Sequence, residues 1–295
     1  MKRVALITGC GKPQGIGYAT ARALAANGVA VMMSDVAAGG VANEHEKGGD
    51  SNSTWRGLES AVEGIRKAGG EAAWTAGDVS AEADSRRMVQ ETIDRYGRLD
   101  ILVNNAGAPQ GQDRLDIADV PLEAWEQVMG INARGCFLMT RAAVPAMREQ
   151  RWGRIVNISS ACIGYPLSHL AVYSASKGAI AAFTLSMAMD VAPWGITVNA
   201  ICPGSILTTR ALSTARRNSG SANVEAVLAE RAKHIPLGRH GRPEEIGATA
   251  AFIASEGAGF MTGQAIFVDG GSIGLPHIQT LGGKTAAEAA ATGKH

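Results

Sequence analysis

The sequence predicts an α/β fold: a single domain on a doubly wound parallel sheet of about seven strands, with helices on both faces. Three observations carry this. Short apolar or β-branched runs alternate with longer amphipathic stretches along nearly the whole chain. Most of those runs are apolar at successive positions, as expected of strands covered on each face. The first run also leads through a glycine-rich turn into the first helical stretch.

Strands are read at 3–9 (RVALITG), 29–35, 71–78, 100–107, 154–160, 196–204 and 264–271 (QAIFVDGG). Helices are read at 16–27, 57–68, 82–96, 122–149, 173–191 and 243–255. Pro193 and Gly195 close the fifth helix; Pro243 opens the sixth, and Glu244 and Glu245 suit the positive end of its dipole. Right-handed crossovers put the carboxyl ends of the strands on one edge, where ligands bind. The domain spans 1–271, with a polar, glycine-rich loop insertion at 37–54 and a tail at 272–295 rich in Ala, Gly and Thr.

Composition narrows the function classes. Lys+Arg number 28 and Asp+Glu 27, a net charge of +1, with the basic residues scattered. That excludes nucleic acid and an anionic membrane surface as expected partners. The opening MKRVALITGC is too short an apolar run for a signal peptide, and no stretch is long enough to span a membrane. Cys10, Cys136, Cys162 and Cys202 form no C-x-x-C pair, so free thiols in a reducing, cytoplasmic compartment are expected, with no metal site.

The turn ITGCGKPQGIG (7–17) places Gly9, Gly11, Gly15 and Gly17 around the start of the first helix, with Ile16 between the last two. Such a turn lets backbone approach a pyrophosphate, and the helix N-terminus offers unpaired N–H groups. Asp35 ends the second strand, where a carboxylate hydrogen-bonds adenosine ribose hydroxyls and repels a 2′-phosphate. That favours NAD over NADP, unless Lys12 reaches the 2′ position. GDVS (77–80), with Asp78 and Val79, and NNAG (104–107), with Asn105, Ala106 and Gly107, follow the third and fourth strands on the same edge.

YSASK (173–177) sets Tyr173 and Lys177 one helical turn apart with small residues between them. A nearby cation favours the ionised phenol, which can then exchange a proton with an alcohol. An ordinary helix with a buried Tyr and a snorkelling Lys has the same spacing, so the pair needs the rest of the chain to give it meaning.

Taken together, Thr8-Gly9 with Gly15 and Gly17, Asp78, NNAG, Asn132, Ser160, YSASK, Pro203-Gly204 with Thr208, and DGG at 269–271 resemble the short-chain dehydrogenase/reductase family, in its single-domain branch. The resemblance covers nearly all of 3–271 and implies a Rossmann-like fold and a catalytic tetrad. Tyr173 is then the proton donor and acceptor. Lys177 lowers the tyrosine pKa and holds the nicotinamide ribose. Ser160 hydrogen-bonds the substrate oxygen; Ser159 also bears a hydroxyl, but the family's spacing selects Ser160. Asn132 interrupts a long helix and holds a water that links Lys177 to solvent. Pro203 and Gly204 bend the chain over the nicotinamide, with Ile206 N–H and the Thr208 hydroxyl on the carboxamide. Thr208 alone also reads as a helix cap. The family usually forms dimers or tetramers.

The chain departs from the family in four places. Five residues separate Gly9 from Gly15, and Gly11 preserves the usual three-residue spacing to Gly15, so two placements of the glycines stay open. The 37–54 loop is long, Ile163 stands where glycine is common, and the tail is extra. Substrate is expected against Ser160, Cys162, Tyr165 and Tyr173, with Ala108, Pro109, His169 and a lid near 205–236 around them. This mostly apolar list suggests a secondary alcohol or ketone of modest polarity, a view that Arg114 or Arg210 reverses if either reaches in. His169 reads as a surface or packing residue, and Phe183, Met187 and Met189 as core or subunit contact. The expected activity is NAD-dependent interconversion of a secondary alcohol and a ketone. Its alternatives are an NADP-dependent ketoreductase and a silent dinucleotide-binding sensor or scaffold.

Overall fold

The computed structural model describes residues 2–41, 54–165, 167–219 and 223–273, so most of the expected insertion and tail lie outside the described residues. The seven expected strands are β1 (Val4–Thr8), β2 (Ala30–Asp35), β3 (Ala72–Ala76), β4 (Ile101–Asn104), β5 (Gly153–Ile158), β6 (Ile196–Pro203) and β7 (Ala265–Val268). They form one parallel sheet in the order β3-β2-β1-β4-β5-β6-β7. The order reverses between β1 and β4, which opens a crevice beyond their carboxyl ends. The strands stop earlier there than the sequence suggests. Asn105–Gly107 and Ser160 leave the sheet because their polar or small side chains do not extend the apolar runs, and they become the rim of the crevice.

Side-chain alternation along each strand divides the core in two. Ala5 and Ile7 of β1 pack with Val31, Val103 and Ile201 against α1 (Ile16–Ala26), α2 (Leu58–Lys67) and α9 (Pro243–Ile253). Leu6, between them in sequence, faces the other way with Met32, Leu102 and Val198. There it meets α3 (Glu82–Tyr96), α5 (Gly135–Gln150) and α6 (Ala171–Val191). Leu6, Ile7, Leu102 and Met139 are wholly removed from water, each burial stabilising the fold by about 1.5–3 kcal/mol.

Two features bear on the crevice. The helix expected at 122–149 is α4 (Leu122–Met129) and α5 joined by a π-helical turn, Gly130–Arg134, with Asn132 inside it. The region read only as a lid contains two helices, α7 (Thr209–Ser219) and α8 (Val224–Lys233). The segment beneath them is anchored at α9. Glu245 accepts from Arg242 N and from both Nη atoms of Arg239, whose hydrogen bonds pull its carboxyl down to about 2. No helix among the described residues is long and apolar enough to cross a membrane.

Candidate active site

The floor of the crevice is a lock between the ends of β1 and β4. Asn105 Nδ2 donates to the carbonyls of Thr8 (2.8 Å) and Gly9 (2.9 Å), and Thr8 Oγ1 accepts from Asn105 N and Ala106 N. Gly9 has φ +74°, and a Cβ there would sit 2.8 Å from Asn105 Nδ2 and 2.9 Å from Ala106 Cα. A Cβ on Gly17 would strike Gly9 O. Gly9 therefore requires glycine for backbone and space, and Gly17 for space. Gly15 caps α1 without any side-chain hydrogen bond, which leaves the first-turn N–H groups available to an anion.

The open question over the glycines has a structural answer. Gly11 turns away from α1 toward the end of β2, where its N–H donates to Asp35 Oδ2 (2.8 Å). Its carbonyl accepts from Trp55 Nε1 (2.9 Å), and its Cα side lies against Gly40. Gly15 and Gly17 form the helix entrance, and Gly11 packs at the end of β2 beside Asp35. Asp35 Oδ1 accepts from Val36 N (2.9 Å). Burial pushes the Asp35 carboxyl above its ordinary range, against the pull of those two N–H groups and of the Lys12 charge. Asp78 Oδ1 accepts from Ser80 N and Oγ at the start of the turn into α3, and Val79 is buried beneath it.

On the other side, α6 carries Tyr173 in its first turn and Lys177 one turn on. Lys177 is almost fully buried. Its Nζ donates to Ile158 O at 2.7 Å and lies 5.9 Å from the centre of the Tyr173 ring. Burial depresses its pKa; the Tyr173 charge opposes that shift and the Arg210 charge adds to it. The two serines after β5 separate by strand alternation. Ser159 is buried and donates to Lys177 O (2.9 Å), which pins α6 to the sheet. Ser160 points to the crevice rim, where its Oγ accepts from Cys162 N (3.3 Å).

Asn132 joins the two halves. Its Oδ1 accepts from Ala108 N (2.8 Å), and its Nδ2 donates to Ser176 Oγ (2.9 Å), which donates in turn to Tyr173 O (2.7 Å). A π turn is a common functional-site irregularity, and here it delivers a buried amide between the 105–108 segment and the tyrosine turn. Beyond β6, Gly204 N donates to Val268 O, and a Cβ on Gly204 would meet Asp269 Cα at 2.6 Å. Ile206 pairs with Gly241, and Thr208 Oγ1 accepts from Ala211 N (3.2 Å), so Thr208 caps α7.

The rim near Tyr173 is more cationic than an apolar pocket. Arg114 lies with its guanidinium 4.3 Å over the Tyr173 ring and its Nε 2.9 Å from Asp113 Oδ2, both side chains being nearly buried. Arg210, in the first turn of α7, donates to Ala108 O (2.5 Å) and Gly107 O (3.3 Å). Cys162 is buried beside Ser160, and burial pushes the Tyr165 phenol up. His169 is exposed, with φ +59° in the approach to α6. Sequence reasoning missed the pairing of the neighbouring Asp113 and Arg114 side chains over Tyr173, and the Trp55–Gly11 bond, which joins segments far apart in the chain.

Comparison with known proteins bears on the family and the fold. The family model described as enoyl-(acyl carrier protein) reductase matches residues 45–272. An uncharacterised oxidoreductase of Thermotoga maritima is 40% identical over 273 residues, 92% of this chain and 97% of the relative. Among solved structures, levodione reductase superposes with a TM-score of 0.83 at 30% identity, covering 93% of this chain and 98% of the other. An actinorhodin polyketide ketoreductase variant with NADPH superposes with a TM-score of 0.81 at 33% identity, again covering 93% and 98%. The chain belongs to the short-chain dehydrogenase/reductase family.

Proposed function

We propose that this chain is an NAD-dependent oxidoreductase that interconverts a secondary alcohol and a ketone, with Tyr173 as acid and base. The observation that carries this is the placement of Tyr173, Lys177 and Ser160 around one end of the crevice whose other end is an uncapped helix terminus and Asp35. The residues fit a nicotinamide dinucleotide. Gly9, Gly15, Ile16 and Gly17 would hold its pyrophosphate. Gly11, Asp35, Asp78 and Val79 would hold the adenosine half. Asn105, Ala106, Gly107, Pro203, Gly204, Ile206 and Thr208 would hold the nicotinamide half. When bound, the dinucleotide accepts or delivers the hydride.

The chain's own residues do the rest. In the oxidative direction Tyr173 Oη takes the proton of the substrate hydroxyl, and in the reductive direction it returns one to the carbonyl oxygen. Ser160 Oγ donates a hydrogen bond to that oxygen and stabilises charge developing there. Lys177 favours negative charge on the phenol oxygen. An ammonium has three N–H donors, and beyond the one on Ile158 O two remain for ribose hydroxyls. Asn132 holds the tyrosine turn in register with the 107–108 backbone. A silent sensor of the same fold would bind NADH tightly and turn over no member of a broad alcohol and ketone panel. The complete tetrad argues against it.

Coenzyme choice rests on Asp35, a partly desolvated carboxylate that disfavours a second anion beside it. The Lys12 charge and the NADPH of the actinorhodin ketoreductase structure favour the other coenzyme. Assays that follow reduced-coenzyme absorbance are expected to show faster turnover with NAD. Asp35→Ala is expected to narrow that preference by roughly tenfold or more. Better turnover with NADP in the unmodified protein would refute the assignment.

The same reading includes a homo-oligomer, a tetramer or dimer. Phe137 and Phe183 meet edge to face at 6.3 Å on the outer side of α5 and α6, where Leu185 and Met189 are also exposed. Leu237, Phe252 and Phe260 are exposed as well. Light scattering is expected to give four chains, and a Phe137→Glu, Met189→Glu double variant is expected to give two. A monomeric parent protein would remove the proposal.

A further inference from the structure

The arginine that α7 sends into the crevice is placed against ordinary helix chemistry. Arg210 occupies the first turn of α7, the positive end of the helix dipole, and that turn has no acidic residue. Its guanidinium reaches across to the carbonyls of Ala108 and Gly107. A Cβ on Gly107 would lie 3.7 Å from Arg210 Nη2 and 3.4 Å from Asn132 Oδ1, so the cation and the tetrad asparagine flank the same glycine. Arg114 approaches the same rim, but Asp113 meets its charge at 2.9 Å. Arg210 makes no ion pair among the described residues; its two partners are neutral carbonyls. A half-buried guanidinium held that way keeps most of its charge uncompensated, and its planar fork matches an oxyanion.

We propose that the substrate carries an anionic oxygen group, a carboxylate, remote from the reacting carbon, and that Arg210 reads it. This rests on the oxidoreductase reading and names its substrate class. The same fork could instead serve the coenzyme pyrophosphate. Its carbonyl partners lie in the segment after β4, beside Asn132, whereas the phosphate turn is built from Gly9, Gly15 and Gly17. That position favours the substrate. The α7 helix is also tied to the crevice rim by Thr214 Oγ1, which donates to Gln110 Oε1 (2.8 Å), so an anion on Arg210 would sit under a lid already held at a second point.

The test uses acetoacetate, levulinate and oxocyclohexanecarboxylate, each against its methyl ester, with the coenzyme-saturated parent protein, Arg210→Met and Arg210→Lys. The parent is expected to favour the acids in kcat/KM. Arg210→Met is expected to lose about 30-fold or more on the acids and under about threefold on the esters. Arg210→Lys, with charge but no fork, is expected to fall between them. Coenzyme affinity, read by NADH fluorescence, is expected to hold. Equal losses on acid and ester would make Arg210 a lid clasp, a loss confined to coenzyme affinity would assign it to the pyrophosphate, and a parent preference for esters would reverse the charge logic; each overturns the proposal. Should no carbonyl compound turn over with either coenzyme, the oxidoreductase reading fails on its own. Calorimetry of the three carboxylates with the NADH-bound protein then decides the Arg210 proposal. Binding by the parent and not by Arg210→Met supports it, and binding by neither overturns it.

Discussion

Tyr173→Phe is expected to cut kcat by about 10³-fold while leaving NADH affinity and the thermal midpoint almost unchanged. The variant removes one oxygen and nothing that the fold uses. The backbone carbonyl of residue 173 still accepts from Ser176 Oγ, the aromatic ring still lies under the Arg114 guanidinium, and Lys177 still donates to Ile158 O. The residual rate reports what orientation and Ser160 supply without a proton donor. KM is expected to move little, because the phenol contributes mainly when charge shifts in the transition state. Stopped-flow reduction of bound coenzyme separates this from a binding defect. A variant that retains more than about a tenth of the parental rate would mean that another group, with Tyr165 the nearest candidate, handles the proton.

The proposed tetrad is legible in the sequence because backbone geometry fixes the spacing that it requires. An i, i+4 pair shares a helix face, so Tyr173 and Lys177 have to be neighbours if residues 173–191 are helical. Ser160 and Ser159 show where spacing alone stops short. Adjacent residues on an extended strand point to opposite sides, so one serine pins α6 and the other faces the crevice, but only the sheet says which side is which. Sequence names the two arginines without placing them, because a long side chain from a loop or lid goes where tertiary contacts send it. Helix α8 leaves no core stripe to read: it buries none of its residues, and its start rests on the cap that Asn223 provides to Ala226 N. Counting residues does not resolve the glycine ambiguity either. The bond between Gly11 and Asp35 links two strand exits that are neighbours only because β1 and β2 pair in register from Val4–Ala30 to Thr8–Ser34.

Lys177→Met is expected to abolish turnover and at the same time make the protein more stable at pH values below the depressed folded-state pKa of the lysine. The parent buries an ammonium almost completely, with Ile158 O at 2.7 Å as its hydrogen-bond partner and the Arg210 charge acting against it. Methionine fills similar space without a charge to desolvate. The variant leaves the Ile158 carbonyl short of a donor, a cost of about 1–3 kcal/mol, set against the relief of a buried cation, which is worth several kcal/mol. A net gain on the order of 1 kcal/mol raises the thermal midpoint by roughly 2–4 °C. The pH dependence gives the argument its sign. Burial holds the folded-state pKa of Lys177 below the 10.5 of an ordinary lysine. Below that depressed value both folded and unfolded chains carry the proton, so the parent bears the full desolvation cost and the variant's advantage is largest. Between the depressed value and 10.5 the unfolded chain binds more protons than the folded one, so parental stability rises with pH and the advantage shrinks. Paired thermal scans of parent and variant at fixed protein concentration, from neutral to alkaline pH, measure this. A variant that is less stable throughout would show that the lysine serves the fold and not only the chemistry, and a difference that does not change with pH would show that the buried ammonium carries no desolvation cost.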